Sequence, residues 1–166
     1  MHKTITLAGG CFWGVEGYFA QLKGVLDTSV GYVDGNKKKP TYQEVCQGVA
    51  SHAEAVWVQY DPTIISLEKI LDHFFRIINP YSMNRQGNDI GRQYRTGIYY
   101  DDPNDVPIIQ RFMEETFKDQ LKRVQTKVLP NMDYEEAEAY HQDYLKKNPN
   151  GYCHIDMNLA RKDEKK

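Results

Sequence analysis

The chain has 166 residues, of which 40% are hydrophobic and 27% charged, and its formal net charge at pH 7 is -2. This length is typical of one domain, and the interspersed charges of both signs exclude a nucleic-acid or membrane-surface binder. The sequence has no run of about 18 apolar residues that could span a membrane, and no apolar signal-peptide segment follows Met1. We therefore expect a cytoplasmic monomer. Three cysteines, an odd number, argue against a structural disulfide framework but leave room for a catalytic redox pair.

The spacing of apolar residues predicts strands and helices that alternate along the chain, as in a mixed α/β domain. Strands are predicted near residues 4–7, 27–32, 53–60 and 96–100, and helices are predicted to start near Cys11, Ser66 and Pro103. The segment from Asn79 to Tyr94 is too polar and glycine-rich for a regular element. A long ordered loop of this kind often carries function.

The remaining chain is predicted to be less regular. A short amphipathic helix is expected from beyond Tyr134 to about Lys147, and Asn148 to Gly151 then turns the chain toward Cys153. We expect a single domain over residues 1–160 and a charged, disordered tail over residues 161–166.

Cys11 is the first candidate for chemistry, since it follows two glycines and precedes Phe12 and Trp13. At a helix start, unpaired backbone N–H groups and the helix dipole favour a thiolate. Cysteine is also a common buried packing residue, so position alone does not establish reactivity. Because Phe12 and Trp13 cannot both face one core from a helix start, one ring should line a cleft beside the sulfur. Such a cleft suits a substrate with a small apolar group.

Glu54 is the second candidate, because it lies in a predicted strand whose two faces are both largely apolar. It shares a face with Val56, Val58 and Tyr60. A carboxyl group in such surroundings tends to have a raised pKa and can donate a proton near neutrality. The alternative is a glutamate at the strand end that reaches solvent or pairs with an arginine.

Two tyrosines and two further cysteines are candidates because of the predicted turns, loops and helices in which they lie. Tyr42 lies in a turn-rich segment and Tyr94 closes the polar loop that contains Asp89, so both hydroxyls could reach one cleft as hydrogen-bond donors. Cys46, in a predicted short helix, is interpreted as a buried packing residue. Cys153 follows a turn, where a mobile thiol could reach a distant partner.

Two further chemistries fit the residue types. Cys46, His52, Cys153 and His154 are potential zinc ligands, but their spacing is poor for a zinc site. A hydrolase could pair Cys11 with His52 or His141, although nothing local supplies the orienting third group.

Several motifs in the same order resemble those of the A-type peptide methionine sulfoxide reductases. They are Gly-Gly-Cys-Phe-Trp-Gly at 9–14, Pro-Thr-Tyr-Gln-Glu-Val-Cys at 40–46, His-Ala-Glu-Ala-Val at 52–56, Asn-Arg-Gln-Gly-Asn-Asp-Ile-Gly at 84–91, Gln-Tyr-Arg at 93–95, Ala-Glu-Ala-Tyr-His-Gln-Asp-Tyr-Leu at 137–145 and Asn-Pro-Asn-Gly-Tyr-Cys at 148–153. The resemblance implies an α/β (α+β) two-layer sandwich with a ferredoxin-like split β-α-β core and a long C-terminal coil. It also implies reduction of methionine S-sulfoxide, free or in oxidised proteins, with no metal or organic cofactor.

The resemblance further implies a role for each matching residue. These roles are the nucleophile (Cys11), the acid (Glu54), the oxygen-binding hydroxyls (Tyr42 and Tyr94), the methyl-group pocket (Phe12 and Trp13), a substrate contact (Asp89) and the resolving thiol (Cys153). A Cys11 sulfenic acid would condense with Cys153 to a disulfide, which thioredoxin would reduce. No further cysteine follows Cys153, so a second recycling thiol is not expected. A non-catalytic module that binds oxidised methionine peptides is the alternative from another functional class.

Overall fold

The computed structural model describes residues 2–153 and 155–166, in which strands and helices alternate along much of the chain. The strands are β1 (Lys3–Gly9), β2 (Val25–Val33), β3 (Ala53–Tyr60), β4 (Arg85–Gln86), β5 (Asp89–Ile90), β6 (Thr96–Tyr100), β7 (Lys127–Pro130) and β8 (Glu135–Glu136). The α-helices are α1 (Phe12–Ala20), α2 (Tyr42–Cys46), α3 (Leu67–Ile77), α4 (Val106–Phe117) and α5 (Tyr144–Lys147). Short 3-10 segments lie between several of these elements and after α5.

Six strands form one sheet in the order β7-β6-β1-β3-β2-β8. The four central strands pair antiparallel, and α1 and α3 connect β1 to β2 and β3 toward β6, which is the split β-α-β arrangement. β7 extends one edge in parallel with β6, and β8 extends the other edge antiparallel to β2. The fold class inferred from the family resemblance is therefore confirmed.

Helix α3 shows how local sequence sets this architecture. The Ser66 hydroxyl accepts a hydrogen bond from the backbone N–H of Lys69 and so caps the helix at the predicted start. Leu67, Ile70, Leu71, Phe74 and Ile77 are buried along one face, at the spacing that places residues on one side of a helix. This face packs in the main core with β1, β3 and β6.

The two faces of the sheet differ in a way that matters for Glu54. On β3, Val56, Val58 and Tyr60 belong to the core beneath the helices, whereas Ala53 and Ala55 belong to a smaller cluster. Because side chains alternate across a strand, Glu54 faces the helix side, as its sequence register predicted. The alternative of a solvent-reaching glutamate was wrong, since only 1% of Glu54 is exposed.

The segment beyond Tyr134 is less helical than predicted. It contains β8, a 3-10 turn at Ala139–His141 and only four residues of α-helix in α5. Asp143 has φ 52°, a left-handed conformation that interrupts a right-handed helix. Its backbone N–H donates to Glu16 Oε1 over 2.7 Å, so a contact with α1 replaces a helical hydrogen bond.

The charged tail also differs from the disorder predicted for residues 161–166. A 3-10 turn spans Lys162–Glu164, and the Glu164 carboxylate lies 2.8 Å from Arg76 and 2.9 Å from Lys69 on α3. The Lys166 backbone N–H donates to the carbonyl of Gln21 over 2.9 Å. These partners lie far away along the chain, so charged composition alone could not reveal them.

Among the described residues, no helix is both long enough and apolar enough to cross a membrane.

Candidate active site

Cys11 is the N-cap residue of α1 and lies two positions after the end of β1 at Gly9. Gly10, with φ 90°, makes the turn between the strand and the helix. Cys11 is only 6% exposed, and burial followed by the Glu54 carboxylate raises the pKa of its thiol far above the ordinary value. Backbone N–H groups of Trp13 and Gly14 lower that pKa, as a helix start should, but their effect is smaller. Burial therefore outweighs the effect by which the helix start favours a thiolate.

Glu54 is positioned against the start of α1. Its Oε1 accepts a hydrogen bond from the backbone N–H of Phe12 over 3.1 Å. Its buried Oε2 has no hydrogen-bond partner among the described residues. Burial, and then the negative charge of Asp89, raise the pKa of Glu54 to about 8, against the opposing Phe12 N–H. The side chain is thus a neutral carboxylic acid near pH 7, and it is hydrogen bonded to the residue that follows Cys11.

Tyr42 and Tyr94 reach the same centre from separate elements. Tyr42 opens α2, which Thr41 fixes with a reciprocal capping box, and Tyr94 ends the 3-10 turn that follows β5. Burial, and then the Glu54 carboxylate, raise the pKa of both hydroxyls above the ordinary range. Both tyrosines are therefore neutral donors within the electrostatic reach of Glu54.

The two aromatic residues after Cys11 take different positions. Phe12 is fully buried, whereas Trp13 is half-buried, so Trp13 is the ring that lines a cleft. Trp13 stacks on Tyr144 with ring centroids 3.9 Å apart, and its Nε1 donates to His141 Nδ1 over 2.9 Å. The expected role of the two rings as a pocket for a methyl group beside the Cys11 sulfur stays a prediction.

His141 and Tyr144 are site residues whose role sequence reasoning missed. Because His141 Nδ1 accepts the indole N–H, a neutral imidazole carries its proton on Nε2. Burial lowers the pKa of His141, which favours that neutral form. The motif at 137–145 contained both residues, but no local pattern indicated that they hold Trp13.

The structure does not support the cysteine–histidine pairs considered for a hydrolase. His52 Nε2 lies 2.9 Å from the carbonyl oxygen of Lys37, and His141 Nδ1 is occupied by Trp13. Among residues 2–153 and 155–166, no hydrogen bond joins Cys11 to a histidine and no group of three ligand-type side chains could hold a metal. His154, one of the zinc candidates, lies outside the described residues.

Asp89 connects the polar loop to the C-terminal coil. It lies in the β4–β5 hairpin, and its Oδ1 accepts a hydrogen bond from the Tyr152 hydroxyl over 3.2 Å. Its charge also raises the pKa of Cys11 and of Glu54. Tyr152 was not singled out from the sequence, because only the fold brings it beside Asp89.

Cys153 is held more firmly than the mobile thiol that the sequence suggested. Its Sγ lies 3.2 Å from the carbonyl oxygen of Ile155, to which it donates, and accepts from the Ile155 backbone N–H over 3.4 Å. Cys153 is half-buried, and all three cysteines are free thiols.

Cys46 is exposed rather than buried, so its predicted packing role was wrong. Val45 takes the buried position of the short helix α2, which turns the next residue outward. The Cys46 thiol hydrogen bonds with the Tyr42 side chain one turn earlier.

Comparison with known proteins gives consistent matches. Residues 3–166 match the family model described as peptide methionine sulfoxide reductase. Peptide methionine sulfoxide reductase MsrA of Clostridium botulinum (strain Okra) is 52% identical over 155 residues, covering 93% of this chain and 99% of that protein. The reduced crystal structure of Mxr1 from Saccharomyces cerevisiae superposes with a TM-score of 0.85 at 38% identity, covering 92% of this chain and 88% of Mxr1. Mxr1 in complex with Trx2 matches with a TM-score of 0.60 at 27% identity, covering 86% and 84% of the two chains.

Proposed function

The chain belongs to the peptide methionine sulfoxide reductase family, and we propose that it reduces methionine S-sulfoxide at Cys11, with Glu54 as the proton donor. The observation that carries this proposal is the neutral carboxylic acid of Glu54, held against the start of α1 by the Phe12 N–H. A sulfoxide sulfur is a poor electrophile until its oxygen accepts a proton. A buried acid with a pKa of about 8 still has that proton at pH 7.

Reduction then proceeds by transfer of one oxygen atom. Glu54 Oε2 gives its proton to the sulfoxide oxygen while the hydroxyls of Tyr42 and Tyr94 donate hydrogen bonds to it. Cys11 Sγ gives its proton to the Glu54 carboxylate and attacks the activated sulfur of the substrate. The hydroxyl group then passes to Sγ as the sulfur–oxygen bond of the substrate and the transient sulfur–sulfur bond break. A thiol and a sulfoxide thereby become a sulfenic acid and methionine, with no change in the total number of protons.

This assignment also accounts for the high pKa of Cys11. A thiol that stays protonated in the resting enzyme is protected from oxidants that attack thiolates. Its proton is also the one that restores Glu54 after the transfer. The Cys11 thiol therefore loses its proton only after a substrate has taken the proton of Glu54.

Substrate recognition is assigned to the aromatic wall and to Asp89. Trp13, fixed in orientation by Tyr144 and His141, holds the S-methyl group, and the buried Phe12 ring forms the inner wall of the same pocket. Asp89, at the rim of the site, contacts the substrate. Oxidised proteins and peptides are the substrates expected for this family.

Recycling uses Cys153 and an external dithiol. Cys153 attacks the Cys11 sulfenic acid, a sulfur–sulfur bond forms, and the oxygen leaves as water. Thioredoxin is the proposed reductant, and the yeast relative Mxr1 was crystallised with Trx2. Exchange converts the thioredoxin dithiol to a disulfide and restores both thiols here. The cytoplasm, a reducing compartment, suits this cycle.

The direct test is Cys11→Ser, assayed for release of methionine from each separated sulfoxide epimer with excess dithiothreitol as reductant. We expect no product from the variant, and product from the S epimer alone with the unmodified enzyme. Cys46→Ser is the matched control, since serine keeps a hydroxyl beside Tyr42, and it should retain activity. Sustained reduction by Cys11→Ser would remove Cys11 from the reaction.

A further inference from the structure

Gly14 occupies a position where glycine has no conformational advantage. It lies in the first turn of α1 and is not among the glycines with positive φ. Alanine in a helix is more favourable than glycine by about 1 kcal/mol, because glycine loses more backbone freedom on folding. The space around Gly14, rather than its backbone, must explain its presence.

That space is occupied by the segment that carries Cys153. A methyl group on Gly14 would lie 3.0 Å from Cys153 Sγ and 3.2 Å from Ile155 Cδ1, both closer than ordinary van der Waals contact. Both atoms would have to shift by a few tenths of an ångström to make room. The Cys153 sulfur contacts the Ile155 backbone, and the Ile155 side chain is 7% exposed within the main core.

The contact places the Cys153 sulfur against the first turn of α1, at a residue three positions after Cys11. Gly14 follows Cys11 by three positions, and residues three apart lie on one face of a helix within about 6 Å of each other. A sulfur that rests against Gly14 therefore lies beside the helix turn that Cys11 begins.

We propose that Gly14 is a positioning residue for disulfide formation, since its missing side chain lets the Cys153 thiol rest against the first turn of α1, beside Cys11. This inference depends on the proposed function. In the step concerned, the Cys153 sulfur attacks the sulfur of the Cys11 sulfenic acid and the sulfur–oxygen bond breaks. The hydroxide leaves with the Cys153 proton as water, and no other reactant is needed.

Gly14→Ala, compared with Gly17→Ala, tests this role. Gly17 is in the same helix, and a methyl group there would lie 3.2 Å from Leu145 Cδ1 and 3.3 Å from Met157 Cε, which are ends of side chains and not the resolving sulfur. Both changes add the same methyl group and the same helix propensity. They differ in which atoms the methyl group displaces.

The measurement is a single turnover with one equivalent of methionine sulfoxide. Methionine release, sulfenic acid and disulfide are followed separately, with a cyclic 1,3-dione to trap the sulfenic acid. For Gly14→Ala we expect methionine release at the normal rate, disulfide formation slowed about tenfold, and accumulated sulfenic acid, because small misplacements of reacting groups are costly. Turnover with thioredoxin should fall by the same factor, while Gly17→Ala should match the unmodified enzyme in all three readings.

Each outcome bears on a different claim. Equal disulfide rates in the two variants would overturn the role of Gly14, and so would slowed methionine release in Gly14→Ala, which would place Gly14 in the oxygen-transfer step. Absence of methionine release from the unmodified enzyme would instead refute the proposed function.

A second variant distinguishes the proposed effect on Cys153 from a general loss of folding in Gly14→Ala. In Gly14→Ala/Ile155→Val, valine lacks the Cδ1 atom that lies close to the added methyl group, while the contact with Cys153 Sγ remains. This protein should fold as well as Ile155→Val alone and should still form the disulfide slowly. A normal disulfide rate in it would refute the inference.

Discussion

Glu54→Gln removes the titratable proton of the buried acid but keeps the shape of the side chain. Glutamine keeps the volume of the side chain and can still accept the Phe12 N–H through its amide oxygen. In the unfolded chain, Glu54 titrates near its ordinary pKa of 4.5, whereas the folded chain holds it neutral until about pH 8. Folding at pH 7 must therefore take up a proton, so stability is lost as the pH rises between these two values.

The size of this effect follows from the two pKa values. The free energy of unfolding should fall by about 3 kcal/mol between pH 4.5 and pH 7 because of this one group. Glutamine does not titrate. The unfolding free energy of Glu54→Gln, relative to the unmodified enzyme, should therefore increase by about 3 kcal/mol over the same interval.

Urea unfolding of the reduced proteins at the two pH values measures this difference. Glu136→Gln, an exposed change on β8, is the control for the loss of a carboxylate. A Glu54→Gln difference that stays constant with pH would refute the claim that Glu54 is buried as a neutral acid.

The same variant has a kinetic signature. General acid catalysis contributes about 100-fold to 10,000-fold, so single-turnover methionine release by Glu54→Gln should slow by at least about 100-fold at pH 7. Release by the unmodified enzyme should decline above pH 8, where Glu54 ionises. The residual rate of the variant should instead rise with pH, since its Cys11 thiol ionises more readily without the Glu54 charge. Parallel pH profiles for the two proteins would exclude Glu54 as the proton donor.

Three further changes probe recycling, substrate binding and the C-terminal anchor. Cys153→Ser should release about one methionine per enzyme and then stop with thioredoxin as reductant, and sustained turnover would exclude Cys153 as the resolving thiol. Trp13→Phe leaves the buried His141 Nδ1 without its donor, so we expect KM to rise roughly tenfold with a smaller change in kcat, and an unchanged KM would show that the hydrogen bond does not orient the ring. Glu164→Gln weakens the pair with Arg76 and should lower the free energy of unfolding by about 2 kcal/mol at pH 7. Because that pair holds the pKa of Glu164 below its ordinary value of 4.5, the difference should shrink as the pH falls below 4.5, and a constant difference in urea unfolding would contradict the pairing.

The sequence was informative where local pattern decides structure. Strand alternation placed Glu54 on the apolar face of β3, and Ser66 marked the start of α3, because both signals depend on neighbours within a few residues. The motifs identified the family. Cys11, Tyr42, Glu54 and Tyr94, which the motifs assign to the reaction, come from four separate elements of the fold.

Properties that depend on distant contacts could not be predicted in the same way. The helix start favours a Cys11 thiolate, but burial in the folded chain and the charge of Glu54, which lies on β3, raise the pKa of that thiol instead. The partners of Glu164 lie on α3, and the residues that hold Trp13 lie about 130 positions later. Separation along the chain hides such contacts from any local pattern.

The contact of Cys153 with the first turn of α1 has a consequence for the lifetime of the protein. Cys11 and Cys153 are separated by 142 positions, so the disulfide proposed between them would close almost the whole chain into a ring. A loop of that length removes enough freedom from the unfolded chain to favour the folded state by about 5 kcal/mol. Enzyme that has acted once and awaits a reductant would then resist unfolding and proteolysis better than fully reduced enzyme. During oxidative stress, when reductant is scarce, the spent form would persist and be available for recovery.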